Sequence, residues 1–183
     1  MAGTWQRLAH VALSSAGDTI DSGTFTAKEN LKVIVSLIPS GGIEARCRFN
    51  DDSGSNYAYR KNSNGEVPDG NPNTSITYND MYVDSNLNYQ VMYIINKADK
   101  EKLTILHNVG NNSAGAGNAP LRREYVGKWA NTSAAITNIK IINGGSGDFA
   151  SGSYITVFGA SADVVTDEKT TLTNVPVNTR YEE

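Results

Sequence analysis

The sequence contains little of the chemistry from which most enzyme sites are built. Its 183 residues include one cysteine and two histidines, so an intrachain disulfide is excluded and no Cys/His cluster for zinc is present. Cys47 lies inside a strand pattern, and His10 and His107 are far apart in the chain. We interpret Cys47 as a small packed side chain. We predict a protein that is not an enzyme, with no catalytic residues, no metal and no cofactor.

Basic charge and long apolar runs are also scarce. Sixteen Lys and Arg against 19 Asp and Glu give a formal net charge of −3, which leaves no basic footprint for nucleic acid. The longest apolar run, 31–38, is interrupted by Lys32 and Ser36 and is too short to span a bilayer. Residues 1–7 lack the charged start and apolar block of a signal peptide. We expect no nucleic-acid partner, no membrane partner and no secretion by that route.

Short alternating segments separated by polar turns are abundant, and no segment shows a sustained helical period. The clearest alternation runs over 89–96. Further strands are predicted over 31–37, 43–49, 75–78, 102–108, 122–130, 136–142 and 153–159, and a long polar loop over 62–72. Many short strands with turns between them predict an all-β fold. We expect residues 1–160 to form an antiparallel β-sandwich that is jelly-roll-like.

The character of the chain changes after residue 160. The last segment carries scattered charges, a run of threonines and few apolar side chains, so it has little surface to bury in a core. We predict that residues 161–183 form an extended C-terminal arm that clasps a neighbouring subunit. The interface residues expected in the arm are Val175, Pro176, Val177, Arg180 and Tyr181.

A dense polar turn lies between Phe49 and Tyr57, and it reads Asn-Asp-Asp-Ser-Gly-Ser-Asn. Such residues accept left-handed backbone or bond their own main chain, and the pattern predicts a hairpin between two strands. Asp51 and Asp52 also offer oxygen ligands for calcium. Arg60 stands where a calcium loop of the EF-hand type has its glutamate, so a structural turn is the simpler interpretation and calcium the alternative.

Aromatic residues with a polar tip are numerous, with nine tyrosines and two tryptophans. Such side chains are favoured at interfaces and on sugar-stacking platforms, although strands favour them for packing alone. Tyr78 and Tyr82 lie in a polar, weakly alternating stretch. They are therefore the tyrosines we expect on an exposed interaction surface.

Three stretches carry recognisable patterns. Residues 49–57 resemble an RFN-x-DSG-x-NY pattern, and residues 149–159 resemble F-x-x-GS-x-I-x-V-[YF]-G. Residues 174–183 resemble LPVGTRYEETDT, with Asn178 in place of the glycine. Together these stretches resemble virion structural proteins of tailed phages, especially marine ones.

The resemblance implies a β-sandwich on the exterior of a virus particle, without catalysis. It favours a capsid decoration or cement protein that binds the major capsid protein or other virion proteins. A homotrimer or another symmetric oligomer would fit repeated lattice sites. The alternative is a tail or head appendage module that binds a host surface glycan, and a polysaccharide-degrading enzyme is a third hypothesis. Because phage particles leave the host by lysis, an exterior protein needs no signal peptide.

Overall fold

The computed structural model describes residues 4–63, 69–81, 87–110 and 115–161. These residues form fourteen strands and no helix, which confirms the predicted all-β class. The strands are β1 (Gln6–Ala12), β2 (Thr19–Asp21), β3 (Asn30–Leu37), β4 (Pro39–Ser40), β5 (Ile43–Phe49), β6 (Tyr57–Ser63), β7 (Asp69–Asn73), β8 (Ile76–Met81), β9 (Asn88–Ile95), β10 (Lys102–Gly110), β11 (Leu121–Trp129), β12 (Ile139–Asn143), β13 (Asp148–Phe149) and β14 (Tyr154–Ala160). Nothing in these ranges is a helix long and apolar enough to cross a membrane.

Two antiparallel sheets pack against each other, consistent with the predicted β-sandwich. The large sheet has eight strands in the order β1-β14-β3-β9-β10-β11-β6-β7, and the small sheet has four in the order β2-β12-β5-β8. A two-stranded ribbon of β13 and β4 completes the fold. The jelly-roll topology stays a prediction. Apart from Ser161, the predicted arm 161–183 lies outside the described residues.

The core lies between the two sheets and is supplied by alternate residues of their strands. On β3 the inward residues Leu31, Val33, Val35 and Leu37 are 0–1% exposed, as the alternation predicts. The facing β5 buries Cys47 completely, in agreement with its interpretation as a small packed residue. Since each large apolar side chain contributes about 1.5–3 kcal/mol when it is buried, this layer dominates the stability of the sandwich.

The turn after Phe49 connects the two sheets, and the predicted hairpin is wrong. β5 belongs to the small sheet and β6 to the large one, so they are not hydrogen-bonded neighbours. Asn50 and Asp51 both adopt left-handed backbone, with φ of 50° and 59°, and this redirects the chain from one sheet to the other. The Asn50 amide then donates to Ala135 O at 2.8 Å and accepts from Thr137 N at 2.8 Å. A compact polar turn therefore predicts a reversal of the chain but does not reveal which strand comes to lie beside it.

The predicted long loop over 62–72 is also partly wrong, because residues 69–73 form β7. This strand pairs with β6 at the edge of the large sheet, with Tyr59 opposite Gly70 and Arg60 opposite Asp69. Pro72 cannot donate a backbone hydrogen bond, and an edge strand is where a sheet tolerates proline. Gly70 and Pro72, which indicate a loop in the sequence, are thus compatible with this edge position.

Candidate interaction surface

The two central strands of the large sheet turn mainly apolar side chains outward and bury several polar ones on the inner side. Along β10 every second residue is buried, and the inward set includes Lys102, Thr104 and Asn108. The outward residues Leu103 and Ile105 are 58% and 52% exposed. A solvated antiparallel sheet normally shows the opposite pattern, with apolar residues inside and polar residues outside. The outer side of this sheet is therefore a candidate interaction surface.

Hydrogen bonds inside the sandwich link the inward polar residues at one end of β9 and β10. Asn88 Oδ1 accepts from Gln90 Nε2 at 2.7 Å and from Asn108 Nδ2 at 2.8 Å. All three side chains are 3% exposed or less. Because buried amides are costly when they lack partners, these bonds offset most of the cost of burying the three amides, and Gln90 Oε1 is left without a partner among the described residues.

Lys102 occupies the other end of β10 and is completely buried. Its Nζ donates to Lys100 O at 2.8 Å, Asn131 O at 2.8 Å and Ala98 O at 3.1 Å, which uses all three ammonium protons. The ammonium also lies 5.4 Å from the ring centre of Trp129. Burial lowers the pKa of Lys102, and the Asp99 carboxylate partly offsets that effect. This lysine joins two turns to the core, and its aliphatic stem replaces an apolar residue there.

Eight exposed apolar side chains make up what we call the outer apolar face: Trp5, Tyr89, Tyr93, Ile95, Leu103, Ile105, Val109 and Val126. Those on strands are cross-strand neighbours, since Leu103 is opposite Ile95 and Ile105 lies between Tyr93 and Val126. Each is 40–58% exposed. At about 150–250 Å² for each of the three aromatic side chains and less for the five aliphatic ones, the face offers roughly 500–700 Å². The largest apolar patch of a typical monomer is about 300–600 Å². The outer apolar face is therefore at or above the upper end of what a monomer ordinarily leaves in water.

The face includes a groove of about 580 Å³ at its Trp5 end. Trp5, Tyr93, Ile95, Leu103 and Val126 line it together with Ile105. Ala160 and Ser161 form part of the wall, so the described chain ends beside this groove. The lining is almost entirely hydrocarbon, which favours an apolar occupant over a charged one.

Charged groups lie around the apolar centre and are matched within the chain. Lys128 Nζ is 2.8 Å from Glu101, and Glu124 contacts both Arg122 at 3.2 Å and His107 at 3.6 Å. On the opposite side, Lys32 lies 5.8 Å from the ring centre of Tyr93. An apolar centre with a polar rim is the usual anatomy of a protein–protein interface.

The tyrosines and arm residues singled out in the sequence do not contribute to this face in the described structure. Tyr78 lies on β8 of the small sheet, and nothing is described of its side chain. Tyr82 lies outside the described residues, as do Val175, Pro176, Val177, Arg180 and Tyr181. Their predicted role in interactions stays a prediction.

The acidic turn uses its carboxylates for contacts within the chain. Asp52 accepts from the Trp129 indole at 2.6 Å and from Gly54 N at 2.8 Å, and Asp51 lies 2.5 Å from Lys140. Burial by itself raises the pKa of Asp52. Hydrogen bonds from Trp129, Asn56 and Gly54 lower that pKa by a larger amount, so the net shift is downward. Within the ranges that the structure describes, no three His, Cys, Asp or Glu residues form a group that could hold a metal ion. These contacts support the structural-turn interpretation of this segment.

Sequence reasoning missed the outer apolar face because it did not determine which side of β9 and β10 is buried. In the stretch 102–110, leucine, isoleucine and valine at positions 103, 105 and 109 alternate with polar residues, and the pattern alone would place them inside. The signal that was available is that β9 is apolar on both sides, since Met92 and Ile94 alternate with Tyr93 and Ile95. A strand of an antiparallel sheet with two apolar sides is expected to contact a second surface. Comparisons with family models, with curated proteins and with solved structures gave no match.

Proposed function

We propose that this chain is a virion structural protein, a capsid decoration or cement protein that works through assembly. The observation that carries the proposal is the outer apolar face, which is at or above the upper end of what a monomer usually exposes and has a polar rim. The three sequence patterns at 49–57, 149–159 and 174–183 point to the same class of protein. Its partners are the major capsid protein or other virion proteins on the particle exterior, and copies of itself in a symmetric oligomer.

The chemistry of the face favours binding by burial. Its centre consists of Ile95, Leu103, Ile105 and Val126, whose side chains offer neither protons nor nucleophiles. Removing such side chains from water is favourable in proportion to the area covered. A surface of this kind stabilises an assembly and leaves recognition of the shell to polar loops and edges.

Copy number tests the proposed function. Virions of a phage that encodes this chain would be purified, and the chain would be quantified by mass spectrometry against the major capsid protein. Hundreds of copies per particle support decoration of the shell. A dozen or so copies that fractionate with detached tails would contradict it and favour an appendage.

The alternative function is an appendage module that binds a host surface glycan, and the exposed rings of Trp5, Tyr89 and Tyr93 favour it. Sugars stack on aromatic faces of this kind. One side of Tyr93 is already covered by Lys32, which leaves less ring for a sugar. Glycan-array binding that is lost in Trp5→Ala, or in Tyr78→Ala with Tyr82→Ala, would favour the appendage. Binding to no glycan would favour decoration.

A further inference from the structure

We propose that the outer apolar face is the interface between copies of this chain, and that its occupant is the same face of a second copy. The inference rests on the proposed function and assigns to it the surface that holds the symmetric oligomer together. Three features of the described residues lead to a second copy, namely area, charge and position in the sheet.

The area of the face matches what one partner contributes to a stable complex. The eight side chains offer roughly 500–700 Å², and a specific protein–protein interface takes about 800 Å² from each partner with its polar rim included. A sugar or a short peptide would cover only the groove beside Trp5 and leave Tyr89 and Val109 in water. A flat surface of comparable size is needed to cover all of them, and a second sheet face supplies one.

The charges of the rim permit two identical faces to approach. Lys128 is paired with Glu101, and Arg122 with Glu124, so these opposite charges cancel within the chain. Lys32 is directed over Tyr93. Like charges of one dominant sign suppress self-association. The two ion pairs cancel, and Lys32 together with Arg60, which is opposite Val126, adds a small positive charge at the margins of the face. A partner selected by charge would instead meet a cluster of one sign.

The position of the face in the sheet suits face-to-face packing. β9 and β10 are the fourth and fifth of eight strands, and β11 follows them. Sheets pack face to face at about 10 Å, with side chains interdigitating between them. The row formed by Tyr93, Ile105 and Val126 crosses these three central strands. Two copies that pack on this row would therefore meet at the middle of the sheet and not at its edge strands. A two-fold axis through this row would place the face of one copy against the same face of the second copy, as an isologous interface requires.

Sedimentation equilibrium of the full chain tests the proposal. The face variant carries Leu103→Lys and Ile105→Lys, both at positions more than half exposed. The matched control carries Thr24→Lys and Thr132→Lys, which add the same charge at exposed loop positions outside the strands of the face. Two lysines buried in an apolar interface should weaken it at least about 100-fold. We expect the wild type and the control to be oligomeric at micromolar concentration and the face variant to be monomeric with an unchanged circular dichroism spectrum.

Quenching of tryptophan fluorescence by acrylamide tests the proposal on the wild type, so it still applies if the face variant does not fold. Trp5 is 45% exposed and Trp129 only 1%, so quenching of the wild type reports Trp5. We expect quenching to fall as the protein concentration rises and the oligomer forms. If quenching stays constant with protein concentration while the oligomer forms, the interface lies elsewhere and the proposal is overturned.

The other occupants appear as distinct outcomes, each of which overturns the inference. A wild type that stays monomeric at about 100 µM with Trp5 accessible would leave the face for a shell protein or a glycan. A monomer whose Trp5 is shielded until residues 163–183 are deleted would make the chain's own C-terminal segment the occupant. An oligomer unaffected by the face variant would use another surface. None of these results bears on copy number per virion, so the proposed function stands or falls separately.

Discussion

Replacing Asp52 removes three hydrogen bonds from the turn that joins the two sheets. Its carboxylate accepts from the Trp129 indole at 2.6 Å, from Gly54 N at 2.8 Å and from Asn56 Nδ2 at 2.9 Å. Trp129 is 1% exposed, and its ring centre lies 5.9 Å from that of Phe49. Asp52→Ala would leave the indole N–H without this acceptor at the edge of the aromatic core.

The expected loss follows from these contacts. A hydrogen bond to a charged group contributes about 1.5–3 kcal/mol, and an unpaired buried donor costs about 1–3 kcal/mol. The bonds to Gly54 and Asn56 are exposed, so water replaces them at little cost. We expect Asp52→Ala to lower the free energy of unfolding by about 2–4 kcal/mol, and Asp52→Asn, which keeps one oxygen for the indole, by about 1–2 kcal/mol.

The pH dependence gives an independent check. The pKa of Asp52 is lower in the folded chain than its ordinary value of 3.8. The ionised carboxylate therefore contributes stability that is complete above pH 3.8 and is lost as the pH falls through the folded pKa. The free energies of unfolding of wild type and Asp52→Asn should differ by a constant amount from neutral pH down to about pH 4–5 and should converge at lower pH. Asp21, whose pKa is also lowered, is present in both proteins and cancels in the difference.

Urea unfolding followed by circular dichroism measures both effects. Protein concentration must be held fixed, because self-association adds to apparent stability. Asp51→Asn is the matched control, since this neighbour is 63% exposed in its ion pair with Lys140 and should change stability by less than about 1 kcal/mol. An Asp52→Ala protein as stable as that control would refute the reasoning. A gap between wild type and Asp52→Asn that stays constant to pH 2 would refute the assignment of charge.

Three further changes test other parts of the fold. Asn50 combines left-handed backbone with bonds to 135–138. Asn50→Gly should therefore lower the free energy of unfolding by about 1–3 kcal/mol, and Asn50→Ala should lower it by about 1 kcal/mol more. Equal melting temperatures for the two variants would be inconsistent with this. A methyl group at Gly147 would lie 2.5 Å from Ser40 O, whereas Gly117 has nothing within 4 Å. Gly147→Ala should therefore melt several degrees lower than Gly117→Ala, and similar melting curves would contradict the crowding. Deleting residues 163–183 should leave the circular dichroism of the sandwich intact but weaken subunit association or attachment to the particle, and unchanged occupancy on virions would rule out that role for the arm.

Strand positions were predictable because alternation is local. The stretches 31–37 and 89–96 show it clearly, and the structure places β3 and β9 there. The connection after Phe49 was not predictable, since two left-handed residues and a polar turn fit a hairpin as well as a crossing between sheets. Only the distant segment 135–138, which bonds the Asn50 amide, distinguishes the two.

The outer apolar face was hidden for a related reason. Lys102 and Asn108 are polar, so the pattern favours placing them in water. Their partners are Ala98, Lys100 and Asn131 for the lysine and Asn88 for the amide. Tertiary structure brings these groups together, and only then is burial of the polar side of β10 favourable. The apolar side is left outside as a consequence, and this inversion is the main clue to function.

A cryo-electron microscopy map of a virion that carries this protein tests the central claim most directly. We expect sandwich-shaped density at hundreds of sites on the outer shell, grouped in symmetric clusters in which the large sheets face one another across Tyr93, Ile105 and Val126. Density for the sandwich only at the tail, or clusters in which β9 and β10 face solvent, would contradict the account.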